Sequence, residues 1–401
     1  MSERHSGTIG QTPPVRLETL LEDFVWLHLG RAPLLALSPS RWGLGLLAAL
    51  AISALQESWG ALSDQEHVLG RIGREILGPL RSAGVDLLTL DPAGAQMGLT
   101  RVAAGVTNLL VQPPSLASVA MGLPELVIWL LVGGALCRMV ALDFGRGQPP
   151  GPAEGVRFGV MRLGSALGAI GAPALIAAGL GAIVAVGGLL GAVPALDVVG
   201  AILGALGIVF AVVATLMVAG VLIGAPLALP AMACDGADAA DAIQRTYAYL
   251  LARPIHLIAA ALVALGLGVV LLEVVGWLIN TGVIAAQGWA GAWSQRAGEV
   301  AAGEAAGATG AVASWIARMW AELAQAAVVG LGISYFFTAS TVVYLLVRQS
   351  CDGQDYTDIW SPGATERVVE EALRARASAS PVGEDGSSRL GARGDRADLA
   401  D

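Results

Sequence analysis

Lysine is absent from this chain: all 23 basic residues are arginine. A Schiff-base lysine, a P-loop lysine and a Ser-Lys dyad are therefore excluded. Charge of either sign is scarce, at 14% of the residues, where soluble domains carry roughly 25%. The three cysteines, Cys137, Cys234 and Cys351, are too few for a disulfide framework. His5, His28, His67 and His256 are scattered, and no H-E-x-x-H, G-x-S-x-G or C-x-x-C spacing occurs. Ser63, Asp64 and His67 share a helical face that reads as solvated. The net charge of -9 leaves no basic footprint for nucleic acid, so no nucleic-acid partner is expected. No spacing calls for a cofactor or a metal, and no catalytic constellation is visible, so the chain reads as a non-enzyme.

What the chain has is apolar length. Hydrophobic residues make up 55% of it, in runs long enough for a hydrocarbon core roughly 30 Å thick. The expected fold is all-α: a polytopic helix bundle of about six transmembrane helices with amphipathic interfacial helices. The spans are placed at Arg41–Gln56, Leu123–Leu142, Leu163–Val186, from Val198 onward, Ile255–Ile279 and Leu323–Val347. The fourth run stays uncharged to Cys234, and Gly224, Pro226 and Pro230 are expected to break or kink it, giving a span to about Val221 and then a broken segment that reaches the surface at the first acidic tag. Before the spans, residues 1–40 carry an amphipathic helix, Val15–Leu29, with Trp26 suited to the membrane interface. The membrane domain covers 41–347. Residues 348–401 form a tail expected to be disordered from about 378. Two long connections, 57–122 and 280–322, contain amphipathic pieces near Val68–Leu80 and Leu99–Val111 and the tryptophans Trp289, Trp293, Trp315 and Trp320. The first span is short, and Ile52-Ser53-Ala54 keeps open a cleaved signal peptide.

Arginine placement orients the bundle. Arg4, Arg16, Arg31, Arg41, Arg146, Arg157, Arg162, Arg245, Arg253 and Arg348 fall on one side if there are six spans, and the short loop between spans three and four has none. The expectation is a bacterial inner-membrane protein with both termini in the cytoplasm; a GC-rich genome accounts for the lysine-free, glycine-rich composition.

One pattern occurs twice where a long apolar segment ends. Cys234-Asp235-Gly236-Ala237-Asp238-Ala239-Ala240-Asp241 and Cys351-Asp352-Gly353-Gln354-Asp355-Tyr356-Thr357-Asp358 share C-D-G-x-D-x-x-D. Gly236 or Gly353 allows a tight turn. Asp238 or Asp355 suits a helix N-cap. Asp241 or Asp358 then falls in the first turn, where the helix dipole favours a carboxylate. The rival readings are a divalent-cation site and an acidic elbow, Asp235, Asp238, Asp241, Asp352, Asp355 and Asp358, that docks a partner. The EF-hand spacing is absent. The CDP-alcohol phosphotransferase pattern also puts D-G beside a span, but it fails here: Ala240 stands where that pattern has arginine, and Tyr249, Arg253 and Leu257 stand at its later positions. Glu366 occupies its glycine position after the second tag. Gly155–Ser165 loosely echoes Ala239–Arg253, which raises the possibility of an internal repeat.

Within the spans, Glu273 is a candidate functional residue because an intramembrane carboxylate is costly. Ser334, Thr338 and Thr341, with Tyr335 nearby, offer it a polar face on the sixth span. Either a protonated Glu273 bonds that face, or it titrates and couples ion movement. Arg138 lies near the inner end of span two, where it can snorkel, and Glu125 near the outer end. The pairs Gly164/Gly168, Gly187/Gly191, Gly200/Gly204 and Gly220/Gly224 permit close helix approach.

The stretch from Pro226-Leu-Ala-Leu-Pro230 to Pro254, reading from Pro230 as P-x-x-A-x-D-G-x-D-A-x-D-A-I-x-R-x-Y-x-Y-x-x-x-R-P, resembles a feature of uncharacterised bacterial multi-pass membrane proteins. Similar acidic-then-arginine elbows occur in the membrane domain attached to some glycerophosphodiester phosphodiesterases. Trp129–Arg138 and the second tag fit the same likeness, which covers about 150 residues. It implies an all-helical membrane module without a known reaction, and the phosphodiesterase catalytic domain itself has no counterpart here. The functional expectation is a scaffold or assembly protein with the lipid bilayer, other membrane proteins or a second copy as partners. The alternative is a transporter or permease that uses the broken fourth segment and Glu273.

Overall fold

The structure is a computed structural model, and it describes residues 25–62, 68–112, 115–193 and 196–361. The chain divides into a unit ending at Ile359 and a second from Trp360 to Asp401, of which only Trp360 and Ser361 are described. Among the described residues there are helices and no strands. Six helices among the described residues are long and apolar enough to cross a membrane. The chain is a multi-pass membrane protein with an all-α fold.

A 3-10 helix, Val25–Arg31, leads into α1 (Ala32–Ala36) and the first spanning helix, α2 (Pro39–Leu62). Next come α3 (Val68–Ile72), a π-helical turn at Gly73–Leu77, α4 (Gly78–Leu88) and α5 (Pro92–Val111). The remaining spanning helices are α6 (Leu116–Arg146), α7 (Pro152–Gly191), α8 (Asp197–Asp235), α10 (Pro254–Trp293) and α12 (Ala308–Asp352). The short helices α9 (Ala239–Ala252) and α11 (Gln295–Ala302) join α8 to α10 and α10 to α12.

Helix α12 is the axis, packing against α2, α6, α8 and α10. Its second half, from Gly330 to Arg348, is almost entirely buried. Missing side chains let α2 approach it: a Cβ on Gly45 would lie 2.1 Å from the Gly330 carbonyl oxygen, and one on Gly330 would lie 2.5 Å from the Leu46 nitrogen. Trp42 Nε1 donates to the Ala327 carbonyl at 2.8 Å, and Ser334 Oγ to that of Ala36 at 2.9 Å. Arg41 Nη1 meets Asp143 of α6 at 2.8 Å. The first span is thus built into the core. It is also longer than its apolar run: Gln56, Glu57 and Ser58 continue the helix, and Gln56 Nε2 reaches Glu125 Oε1 at 3.0 Å. Glu125 is buried.

The fourth segment corrects an expectation. It does not break at Gly224, Pro226 or Pro230 but runs as one helix of 39 residues, α8. The two prolines remove the hydrogen bonds to the carbonyls of Leu222 and Pro226. Packing outweighs that loss, since Leu227, Leu229, Met232 and Cys234 are each at most 5% exposed. Gly220 and Gly224 do not join α8 to another span. They clear room for α9, because added Cβ atoms would meet the Tyr247 hydroxyl at 2.3 Å and Thr246 Cγ2 at 2.6 Å. Tighter small-residue packing occurs elsewhere, where a Cβ on Gly159 of α7 would lie 2.3 Å from the Leu131 carbonyl oxygen of α6.

The described parts of both long connections are mostly helical. Asp91 caps α5, accepting from the Ala93 and Gly94 amides at 3.2 and 3.1 Å. Most of 280–322 simply extends α10 and α12, with Trp289, Trp293, Trp315 and Trp320 all exposed. Of the expected amphipathic helix Val15–Leu29, residues 15–24 lie outside the described residues, as do Ser63, Asp64, His67 and the tail from 378.

Candidate functional site: the interlocked acidic elbows

Each tag begins with the same helix end. Gly236 closes α8 and Gly353 closes α12 in the left-handed conformation, with φ of 68° and 67°. Their amides bond back to the carbonyls of Met232 and Gln349, both at 3.0 Å. Only glycine takes this conformation without a Cβ penalty.

From there the two tags interlock. Asp235 points inward, its side chain 7% exposed. Oδ1 accepts from Arg348 Nη1, and Oδ2 accepts from the Tyr344 hydroxyl and from Arg245 Nη1, the last at 2.8 Å. Asp352, the equivalent residue of the second tag, accepts from the hydroxyl of Tyr249 on α9. Each tag's first aspartate therefore takes a tyrosine hydroxyl from an element bearing the other tag, and the two rings lie 5.7 Å apart. Burial, then the hydrogen bond to Asp352, pushes the Tyr249 hydroxyl well above its ordinary value.

Arg348 is the second pivot, with its side chain 1% exposed. Besides Asp235 it holds the carbonyls of Asp355 at 2.8 Å and Asp358 at 3.0 Å. Arg146 of α6 donates to the carbonyl of Ile359, which is itself buried. Tyr356 packs on His28 and Phe144 with ring centroids 5.7 and 5.8 Å away. The segment after α12 is thus pinned beneath the bundle, beside the 3-10 helix that opens the described chain.

The end of α8 is capped in the same manner. The last carbonyls of a helix have no partner within it. Arg138 Nη1 takes that of Ala233 at 2.9 Å, and Arg162 Nη2 takes that of Gly236 at 3.0 Å. Cations here also meet the negative end of the helix dipole. Arg138 accordingly does not snorkel. It is 4% exposed and stacks over Phe158 at 5.4 Å, because an orphan carbonyl lies closer than solvent.

The remaining tag residues divide. Asp238 caps α9, accepting from the Asp241 amide at 2.9 Å, with Asp241 in the first turn. Asp355 does not cap a helix. Its Oδ1 accepts from the Thr357 amide and hydroxyl at 2.9 and 3.0 Å, which also holds the carboxyl below its ordinary value. Arg348 occupies the carbonyls of Asp355 and Asp358 that a helix would have used, and residues 353–361 stay irregular. Asp238, Asp241, Asp352, Asp355 and Asp358 are exposed; Asp235 is not part of that surface. Among the described residues, no three His, Cys, Asp or Glu side chains converge as metal ligands.

Glu273 lies elsewhere. Its side chain is 52% exposed and pairs with Arg81 of α4. The polar face of α12 never meets it, which corrects the expected bond between them. Ser334 is spent on Ala36, while Thr338 and Thr341 bond the carbonyls of Ser334 and Phe337 in their own helix, both at 2.7 Å. Tyr335 donates to the Ala264 carbonyl of α10.

No protein-family model, curated protein or solved structure matches this chain. Sequence reading missed Tyr344, Arg348, Tyr249 and Arg245 as one unit. A signal was present: Tyr344 and Arg348 stand four apart just before the second tag, on one helical face.

Proposed function

We propose that the chain is a non-enzymatic integral membrane scaffold that presents a rigid acidic face to a partner. One observation carries this reading. The two elbows are held side by side by crossed bonds between tags, so the carboxylates of Asp238, Asp241, Asp352, Asp355 and Asp358 are displayed from the same end of a fixed frame. A face of one charge on a fixed frame is complementary to a cationic partner surface. The transporter reading keeps Glu273 but has no broken fourth segment to draw on, since α8 is one continuous helix.

The arginine distribution further supports placing this face and both termini in the cytoplasm of a bacterium, with the bundle in the inner membrane. A reporter fused after Arg296 that reads as cytoplasmic would overturn that orientation. The scaffold reading is tested by cross-linking in native membranes, comparing the wild type with a variant carrying Asp238→Ser, Asp241→Ser, Asp355→Ser and Asp358→Ser. The expected result is loss of a discrete cross-linked partner at unchanged abundance of the protein. An identical cross-linking pattern would sink the proposal.

A further inference from the structure

Between α2 and α6 the chain packs a helical hairpin, α4 and α5, onto the side of α10. The two helices of the hairpin meet closely. A Cβ on Gly98 would lie 2.7 Å from the Ala83 Cβ, and one on Gly105 would lie 2.3 Å from the Glu75 carbonyl oxygen. The register of α4 along α10 is fixed at two levels. Arg81 pairs with Glu273. Nearer the turn, a Cβ on Gly84 would touch the Leu265 and Val269 side chains at 3.2 and 3.4 Å, and one on Gly266 would touch Leu88 at 3.9 Å. Helix α4 therefore descends along α10 toward the side of the acidic elbows, and the turn at 89–91 is the tip of the hairpin.

That register sets a depth. Helix α10 leaves the elbow side at its N-cap, Arg253. At 1.5 Å per residue, Gly266 stands about 20 Å from Arg253, and Glu273 about 30 Å. The hydrocarbon core is roughly 30 Å thick. Glu273 and Arg81 thus mark its far edge, and Leu88 lies about 10 Å inside. Tilting α10 only draws both levels deeper.

The residues of the hairpin fit that depth. Arg71, Arg74, Glu75, Arg81 and Arg101 lie in its open half, whereas Leu87, Leu88, Leu90 and Met97 are exposed around the tip. Leu90 is 88% exposed in the left-handed region, at φ 59°. A turn facing water takes glycine or asparagine there. The amides of the turn need no water either. Those of Thr89, Leu90 and Asp91 donate to the carbonyls of Val85, Leu87 and Asp86 at 2.9, 3.2 and 2.8 Å. Pro92 has no amide, and those of Ala93 and Gly94 donate to Asp91 Oδ1. The Thr89 hydroxyl bonds back to Val85 and Asp86. Unpaired donors are what hydrocarbon tolerates least. Asp86 and Asp91 oppose the depth. Asp91 is held there by the two amides it closes, and Asp86 turns into the seam, its carboxyl carbon 2.8 Å from where a Cβ on Gly94 would stand.

We infer that α4 and α5 form a re-entrant hairpin. It enters the hydrocarbon core from the side opposite the acidic elbows and leaves by that same side, with Leu87, Leu88 and Leu90 among the lipid tails. The chain thus enters the membrane once more than it crosses it.

Leu87 and Leu90 are exposed, so a label at either disturbs no packing. The parent chain carries Cys351→Ser; Cys137 and Cys234 are buried and stay. Leu87→Cys, Leu90→Cys, Leu262→Cys in the exposed midsection of α10 and Trp293→Cys at its far end are each made and spin-labelled. Each full chain is reconstituted in phosphatidylcholine vesicles, with a water-soluble nickel chelate on both sides. Power saturation then measures the access of oxygen, which concentrates in hydrocarbon, against that of the chelate. The oxygen-to-nickel ratio at Leu87 and Leu90 should match that at Leu262 and exceed that at Trp293 at least about fivefold. A Leu90 ratio equal to that of Trp293 would put the tip in water. Low access to both reagents would put it under protein. Either result would overturn the inference. Neither depends on the acidic face or on which side faces the cytoplasm.

Discussion

Truncating Asp235 should destabilise this protein more than truncating any other tag carboxylate. Asp235→Ala removes the acceptor of Arg348, Tyr344 and Arg245 together. The dominant cost comes from Arg348: its side chain is 1% exposed and would keep a buried charge without its counter-ion. Breaking a buried pair from one side typically costs about 3–5 kcal/mol. Arg245 adds little, because its side chain is 38% exposed and water screens it. Asp238→Ala, by contrast, removes only an exposed helix cap, worth about 1 kcal/mol. The measurement is equilibrium unfolding in mixed micelles of Asp235→Ala, Arg348→Met, the double variant and Asp238→Ala. Pairing predicts that the double variant loses less than the two single losses combined, by about 1–3 kcal/mol. The reasoning fails if Asp235→Ala costs no more than Asp238→Ala, or if the single losses add to within about 0.5 kcal/mol.

Three further outcomes are expected. Thr246 is buried with its hydroxyl unpartnered, so Thr246→Val should raise stability by about 1–3 kcal/mol in the same unfolding assay; a loss would show that the hydroxyl is satisfied. Glu273 pairs with Arg81 of α4 on the outer surface of a spanning helix, so Glu273→Gln should lower stability in the same assay and the further change Arg81→Met should cost less than it does alone; strictly additive losses would show that the pair is not coupled. Tyr249 is held protonated in the fold by burial and by Asp352, while in the unfolded chain it ionises near its ordinary value of about 10. Its contribution is thus complete below pH ~10 and lost as pH rises above that; unfolding midpoints measured between pH 8 and 11 should fall at the upper end in the wild type and fall less in Tyr249→Phe.

Much of this molecule was legible in its residues. Apolar runs bounded by arginine, aspartate and proline can only be spanning helices, because a bilayer offers unpaired backbone groups no partner. The glycine of each tag had to end a helix, and Asp238 had to begin one, since both effects act within four residues. The proline break in α8 was misjudged for the same reason that local rules work elsewhere. Two lost backbone bonds are visible in the sequence, whereas the packing of Leu227 to Cys234 against other helices is not. Arg138 was likewise read as reaching for solvent, when the end of α8 brings it an unpaired carbonyl 95 residues away in the chain.

The twin tags divide along the same line. Their sequence set two helix ends, two turns and one cap, all governed by neighbouring backbone geometry. Only the tertiary structure decided that Asp235 turns inward to Arg348 and Tyr344, that Asp352 takes the hydroxyl of Tyr249, and that the other carboxylates are left facing out together. Bonding across 103 to 113 residues depends on which helices adjoin, and small residues help to set that, as where Gly133 of α6 leaves room for Phe337 of α12 and Leu229 of α8 together.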